Sequence, residues 1–176
     1  MIAAKQLDQS DRSNRPPLGD VLEFMRLMWA IDHALQKKSK RMKVQLGVTG
    51  PQRLVIRVVA RFPGIPAGQL AELLHVHPST LTGIVKRLER QGLLTRRVDA
   101  RDRRRVLLGL TREGRQLDID CEGTVEAAVR AALSAFPEPK VRNAAEVLER
   151  IGLSLDPVTG TDAQGQQIGV GRGKGE

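Results

Sequence analysis

The chain has 176 residues, 40% of them hydrophobic, and its 29 Lys and Arg outweigh 20 Asp and Glu to give a net charge of +9. That is enough apolar material for one packed domain and excludes a wholly disordered chain, while a single cysteine, Cys121, excludes a disulfide framework or a cysteine-based zinc module and points to a reducing compartment. An aromatic content of 2% argues against stacking single-stranded bases, and the best apolar stretch, VLEFMRLMWAIDHAL, is interrupted by Glu23, Arg26 and Asp32, so a cytoplasmic chain with no membrane partner is expected.

Residues 1–17 are polar, end in Pro16-Pro17 and show no period, which predicts a flexible arm. From about Gly19 to Val44, Leu22, Met25, Met28, Trp29 and Leu35 recur at three- and four-residue steps, the pattern of a long amphipathic helix whose end, QKKSKRMK, is basic. Thr49-Gly50-Pro51-Gln52 has the form of a capping box and opens a second helix through Val55, Val58 and Val59, closed by Phe62-Pro63-Gly64. With Pro66 at a first helical position, Gln69 to Leu74 reads as a short helix with Leu70, Leu73 and Leu74 inward. After His75-Val76-His77, a fourth helix from Pro78 to Gln91 carries Leu81, Ile84, Val85 and Leu88 on one face, and Gly92 ends it. Two apolar runs, Leu93-Leu94 through Val98 and Val106 to Leu110, flank DARDRRR and predict a two-stranded hairpin with a basic tip. Thr111 is then read as the N-cap of a continuous helix to about Ala135, with Leu117, Cys121, Val125, Ala128 and Ala132 on one face. A last helix spans about Glu138 to Ile151, presenting Val141, Ala144, Leu148 and Ile151, before a Gly-rich tail expected to be disordered.

The positive charge is concentrated. Between Lys86 and Arg112 ten basic residues stand against three acidic ones, a net +7 within a chain of +9. Such a block repels itself and is best accounted for by a polyanion, since each phosphate it neutralises releases counterions. On the fourth helix the face left free by the apolar stripe carries Ser79, Thr80, Thr82 and Gly83 at one end and Lys86, Arg87 and Arg90 further along. Small hydrogen-bonding groups allow close approach to base edges, and cations read guanine or clamp phosphate, so double-stranded DNA is the expected partner.

Two helices, a tight turn and a basic hairpin make a winged helix-turn-helix, and the residues resemble the MarR (multiple antibiotic resistance regulator) family. The matching stretch is residues 70–114, LAELLHVHPSTLTGIVKRLERQGLLTRRVDARDRRRVLLGLTREG. Its most specific part is Asp99-Ala100-Arg101-Asp102-Arg103-Arg104 followed by Leu110-Thr111 and Gly114, and the order of elements extends the resemblance over roughly residues 18–152. What the resemblance implies is a mainly α protein with a small β-hairpin wing, acting as a homodimer that binds a pseudo-palindromic operator and typically represses a promoter. The implied organisation is an arm over 1–17, an N-terminal dimerisation helix over 18–46, a winged DNA-binding domain over 47–111, C-terminal dimerisation helices over 112–153 and a tail over 154–176. Ser79, Thr80, Thr82 and Gly83 would lie in the major groove, Lys86 and Arg87 at its edge or on phosphate, and Arg101, Arg103 and Arg104 at the adjacent minor groove. Asp99 and Asp102 are expected to brace the wing by pairing with its guanidiniums.

Departures from the family pattern also carry expectations. Many members have Arg where Gly83 stands; His77 replaces a better N-cap; Arg105 adds charge to the wing and predicts a steeper salt dependence. Similar members often form an effector pocket around the positions of Met25, Met28, Trp29, His33, Val55, Val59 and Phe62. For most of those side chains a plain core role is the favoured reading; a small aromatic or anionic effector is the expected ligand of such a pocket, with Arg26, Arg53 and Arg57 supplying charge at its mouth. His75 and His77 have no third ligand nearby, the tail GVGRGKGE fails the phosphate-loop pattern, and nothing in the spacing suggests a nucleophile triad, so no metal, cofactor or enzymatic activity is expected. A sequence-tolerant architectural DNA-binding protein is the alternative that charge alone would satisfy.

Overall fold

A computed structural model describes residues 18–155; the arm over 1–17 and nearly all of the tail lie outside the described residues. The element order is α1 (Gly19–Leu46), α2 (Gly50–Arg61), α3 (Ala67–Leu73), α4 (Pro78–Arg90), β1 (Leu94–Val98), β2 (Val106–Leu110), α5 (Arg112–Gln116), α6 (Val125–Leu133) and α7 (Glu138–Leu155). It is a mainly helical fold with a winged helix-turn-helix at its centre.

The capping box that opens α2 is present in both directions: Thr49 Oγ1 accepts from Gln52 N at 3.4 Å, and Thr49 N donates to Gln52 Oε1 at 2.9 Å. Gln52 also donates to Gln91 Oε1 at 3.1 Å, and Gln91 donates to Gly47 O at 2.9 Å, which ties the start of α2 to the end of α4. The core lies between these helices and the hairpin, with Val55, Ile56 and Val59 of α2, Leu70 and Ala71 of α3, Leu81, Val85 and Leu88 of α4, and Leu94 and Leu108 of the strands all buried. In α3 the expected stripe is shifted: Leu70 is buried, Leu74 is partly buried, but Leu73 points out and Ala71 takes its place. Pro66 is the N-cap and not the first helical residue, because it also continues the sheet.

The wing is an antiparallel pair with Leu94 opposite Leu110 and Val98 opposite Val106. A short extended piece at its edge completes it: Gly64 N donates to Leu108 O at 2.9 Å and Leu108 N donates to Ile65 O at 3.0 Å. This piece satisfies backbone groups of β2 that would otherwise be an open edge.

The continuous helix expected from Thr111 to Ala135 is not formed. After α5 the chain breaks through LDIDCEGT and restarts with Thr124 as N-cap of α6, its hydroxyl accepting from Ala127 N at 3.2 Å and donating to Cys121 O at 2.9 Å. Gly123 adopts φ 81°, and three carboxylates within five residues disfavour a regular helix there. Cys121 therefore sits in a loop and not on the apolar face of a helix. The final helix runs to Leu155, beyond the expected Ile151.

Among the described residues of α1 only Met42 is buried, and α6 and α7 bury none. Leu22, Met25, Trp29 and Leu35 of the apolar stripe of α1 and Leu148 of α7 are exposed in the single chain, Trp29 to 80%.

Candidate nucleic-acid interface

α4 presents Ser79, Thr80, Thr82, Gly83, Lys86, Arg87 and Arg90 on its exposed face, opposite buried Leu81, Val85 and Leu88. Its N-terminus is set by the turn before it, where His75 takes the left-handed conformation at φ 49°. His77, read from sequence as a poorer cap, does cap the helix: its Nδ1 accepts from Ser79 N at 3.3 Å and lies 2.7 Å from Ser79 Oγ. An imidazole nitrogen on a residue with φ −59° and ψ 138° reaches the free amide as a Ser or Asp oxygen does. The Thr82 hydroxyl donates back to Pro78 O at 2.8 Å, which leaves its lone pairs and methyl group facing out. A Cβ on Gly83 would meet nothing within 4 Å. The exposed face therefore has open space at its middle, where a larger side chain would project outward.

The wing tip is built by its two aspartates, but through the backbone. Asp99 Oδ1 accepts from Arg101 N and Asp102 Oδ1 from Arg104 N, each at 2.9 Å. Asp99 N donates to Arg105 O at 3.0 Å and Arg105 N to Asp102 O at 2.9 Å, closing the loop. The expectation that these carboxylates pair with guanidiniums is thus corrected: an Asx-type turn satisfies them locally, because amides two residues on are nearer than any side-chain terminus. Arg101, Arg103, Arg104 and Arg105 are exposed, and among the described residues none has a carboxylate partner. Arg104 and Arg105 also border a hollow of about 520 Å³ with Pro66, Ala67, Gly68, Gln69, Glu72 and Val106, so the wing and the start of α3 share one concave edge. Arg96 reaches Glu89 at 3.4 Å and links the wing to α4.

The hairpin's far end is fixed by Thr111. Its hydroxyl donates to Gly92 O at 2.7 Å and accepts from Gly114 N at 2.9 Å, joining the end of α4 to the start of α5. Gly114 packs so closely on Leu93 that a Cβ there would lie 2.0 Å from the Leu93 carbonyl oxygen.

The seven residues read as an effector pocket are not gathered in the single chain, and Met28 is half-buried on α1. Val55 and Val59 are buried in the winged core and are not free to line a cavity. Met25, Trp29 and His33 are exposed on α1, and half-exposed Phe62 borders a different hollow with Arg61, Pro63 and Leu73. The cations assigned to the pocket mouth are also engaged. Arg26 pairs with Glu23 on its own helix at 2.5 Å. Arg53 is only 2% exposed; it pairs with Glu126 and donates to Leu117 O at 2.6 Å and Ile119 O at 2.7 Å. Arg57 bonds the Asp118 carbonyl and reaches the carboxylates of Asp118 and Asp120 at 3.1 Å each. The Arg130 hydrogen bond, with the charges of Arg130, Arg57 and Arg53, holds the Asp120 carboxyl below its ordinary value. Sequence reasoning missed this clamp, although Arg53 shares a helical stripe with Ile56, and an arginine on a buried stripe requires fixed partners. Among the described residues no group of three or more His, Cys, Asp or Glu is placed to hold a metal, and no helix is long and apolar enough to cross a membrane.

A helix-turn-helix whose second helix exposes small polar and basic groups, followed by an arginine-tipped hairpin, defines the winged helix class. A profile of the MarR family matches residues 46–105. The organic hydroperoxide resistance transcriptional regulator of Bacillus subtilis is 32% identical over 102 residues, covering 56% of this chain and 69% of that one. The homoprotocatechuate degradative operon repressor of Escherichia coli is 30% identical over 102 residues, covering 58% of this chain and 69% of the other. Among solved structures, the S. aureus MepR–DNA complex superposes with a TM-score of 0.63 at 24% identity over 76% of this chain and 98% of its own, a likeness of fold. The chain belongs to the MarR family of transcriptional regulators.

Proposed function

We propose that the chain is a homodimeric, sequence-specific regulator that binds a pseudo-palindromic operator and represses transcription from it in the cytoplasm. The observation that carries this reading is the exposed charge of α4 and the wing: Lys86, Arg87, Arg90 and four tip arginines stand free of any acidic partner among the described residues. In this reading Ser79, Thr80, Thr82 and Gly83 meet base edges in the major groove, Lys86 and Arg87 its edge or the backbone, and Arg101, Arg103 and Arg104 the minor groove beside it. Asp99 and Asp102 act one step back, by holding the tip's backbone in shape. Residues 47–111 form the DNA-binding unit, while 18–46 and 112–153 supply the dimer interface, for which their exposed apolar stripes are the support. Two-fold symmetry would place half-sites about 10 base pairs apart. An effector site, if assembled between subunits, would draw on Met25, Trp29, His33 and Phe62, which keep exposed surface.

The test is selection of genomic fragments by the purified protein, then titration of the best duplex and a scrambled control at one physiological salt concentration. A palindrome bound about a thousandfold tighter than the control is the expected result. Equal binding to both would replace this reading by sequence-tolerant DNA coating. Arg103→Ala and Arg104→Ala should each reduce the slope of log affinity against log salt by about 1, the loss of one phosphate-type contact.

A further inference from the structure

The winged motif does not account for all of the exposed positive charge. Lys37, Lys38, Lys40, Arg41 and Lys43 lie within seven residues near the end of α1, and no Asp or Glu occurs anywhere from His33 to Ala71. Lys37, Lys40, Arg41 and Val44 fall at i, i+3, i+4 and i+7, on the side of the helix turned away from buried Met42 and from Ser39, whose hydroxyl accepts from Gly50 N at 2.9 Å. The three cations of that stripe are exposed, and none of Lys37, Lys38, Lys40 and Arg41 has an ion pair or side-chain hydrogen bond among the described residues.

Only part of this charge serves the fold. Lys43 does: its Nζ donates to Gly47 O at 2.5 Å, closing the helix C-terminus, where the macrodipole favours a cation. The dipole's effect fades beyond the last turn, so it does not reach Lys37. Like charges three and four residues apart destabilise a helix, and Lys37–Lys40, Lys37–Arg41 and Lys40–Lys43 all have that spacing.

The fold joins this stripe to the recognition helix. Gly47, which receives the Lys43 ammonium, also accepts from Gln91 at 2.9 Å, and Gln91 is the C-cap of α4, just past Arg87 and Arg90. The end of α1 and the end of α4 thus meet at one carbonyl, and the stripe leads toward that junction as a basic shoulder of α1.

We propose that Lys37, Lys40 and Arg41 form an accessory DNA-backbone site that binds duplex flanking the operator core, outside the reach of α4 and the wing. This rests on the DNA-binding reading above. Phosphate is the chemistry that suits flexible, unpaired lysines without a shaped pocket, since it demands charge and no fixed geometry. The site would add affinity and salt dependence without adding base specificity.

The test uses the full chain and a Lys37→Gln, Lys40→Gln, Arg41→Gln variant, all changes being on exposed helix. Each protein is titrated at several salt concentrations against the selected operator trimmed to its core, and against the same core carrying about ten arbitrary base pairs, one helical turn, on each side. The variant is expected to lose tenfold or more on the flanked duplex, with a salt slope lower by about 2 to 3, and to match wild type on the trimmed one. Matching wild type on both duplexes would overturn the proposal and leave the shoulder to an acidic protein partner or to solvent. Equal losses on both would overturn the flanking placement. Wild type that binds neither duplex would instead remove the DNA-binding reading itself.

Discussion

At the scale of single residues, two glycines, Gly114 and Gly83, have opposite reasons to be small. Gly114 is required by packing: a methyl group there would sit 2.0 Å from the Leu93 carbonyl oxygen, a backbone atom fixed by the Thr111 amide at 3.2 Å. Relief would have to separate α5 from the end of α4, so Gly114→Ala should destabilise the fold by about 3 kcal/mol or more, read as a lower midpoint in urea. Gly83, in contrast, has open space around its missing Cβ. Gly83→Ala should stabilise the protein by about 0.5–1 kcal/mol, because glycine is the poorer residue in a helix interior. A helix that accepts alanine so readily retains glycine for some reason other than its own stability, and close approach of α4 to a groove floor supplies one. The stabilised Gly83→Ala protein should therefore bind its operator no more tightly than wild type; a gain in affinity would remove Gly83 from the contact surface.

At the scale of elements, the decisive join is between α2 and the loop that separates α5 from α6. Arg53 and Arg57 of α2 fasten the carbonyls of Leu117, Asp118 and Ile119 and the carboxylates of Asp118, Asp120 and Glu126. Arg53→Met would leave two carbonyls and the part-buried Glu126 carboxylate without their donor. A loss of about 2–3 kcal/mol follows, below the full cost of breaking a sealed pair because Glu126 keeps some access to water. Calorimetric melting checks it, and a loss under about 0.5 kcal/mol would mean that α2 and the loop hold together by apolar packing alone. The same clamp gives a pH dependence. With the Asp120 carboxyl held below its ordinary value by Arg130 and its neighbours, its contribution is present above the unfolded value near 3.9 and is lost as pH falls through the lower folded value. Asp120→Asn should flatten that acid limb in melting temperatures measured between about pH 5 and 2. Sequence periodicity made α1, α2, α4 and the hairpin legible because each has a strong apolar stripe or turn signal of its own. It failed between Leu117 and Thr124, where Leu117, Cys121 and Val125 imitate a helical face, and what breaks the helix is carboxylates drawn to arginines over sixty residues away. The exposed face of α4 was legible for a related reason: it is what remains when the core stripe of the helix is subtracted. The bracing of the wing was not, since sequence names Asp99 and Asp102 without saying whether they hold guanidiniums or amides.

At the scale of the molecule, the single chain leaves apolar surface uncovered. Leu22, Phe24, Met25, Trp29 and Ile31 of α1 and Leu148, Leu153 and Leu155 of α7 are exposed, while the winged core is sealed without them. Val141, Ala144, Leu148, Ile151 and Leu155 recur along α7 at a helical period, a stripe of which no residue is fully buried among the described residues. Apolar patches of this extent are uncommon on monomers and mark association surfaces. An interface of standard size, about 1,600 Å² in all, is of the class that holds specific protein pairs together, with the affinity set by how well its buried centre packs and not by area alone. Light scattering after size exclusion should therefore find twice the 19.4 kDa chain mass for the wild type. Leu148→Asp with Leu153→Asp should give the single-chain mass while far-ultraviolet circular dichroism retains most of its helix, because neither side chain contributes to the winged core. That monomer should bind one operator half-site at best and lose the affinity that two linked half-sites provide, which is several orders of magnitude. A variant that stays dimeric would move the interface away from α7, and a monomer with wild-type operator affinity would mean that DNA is read by one subunit at a time.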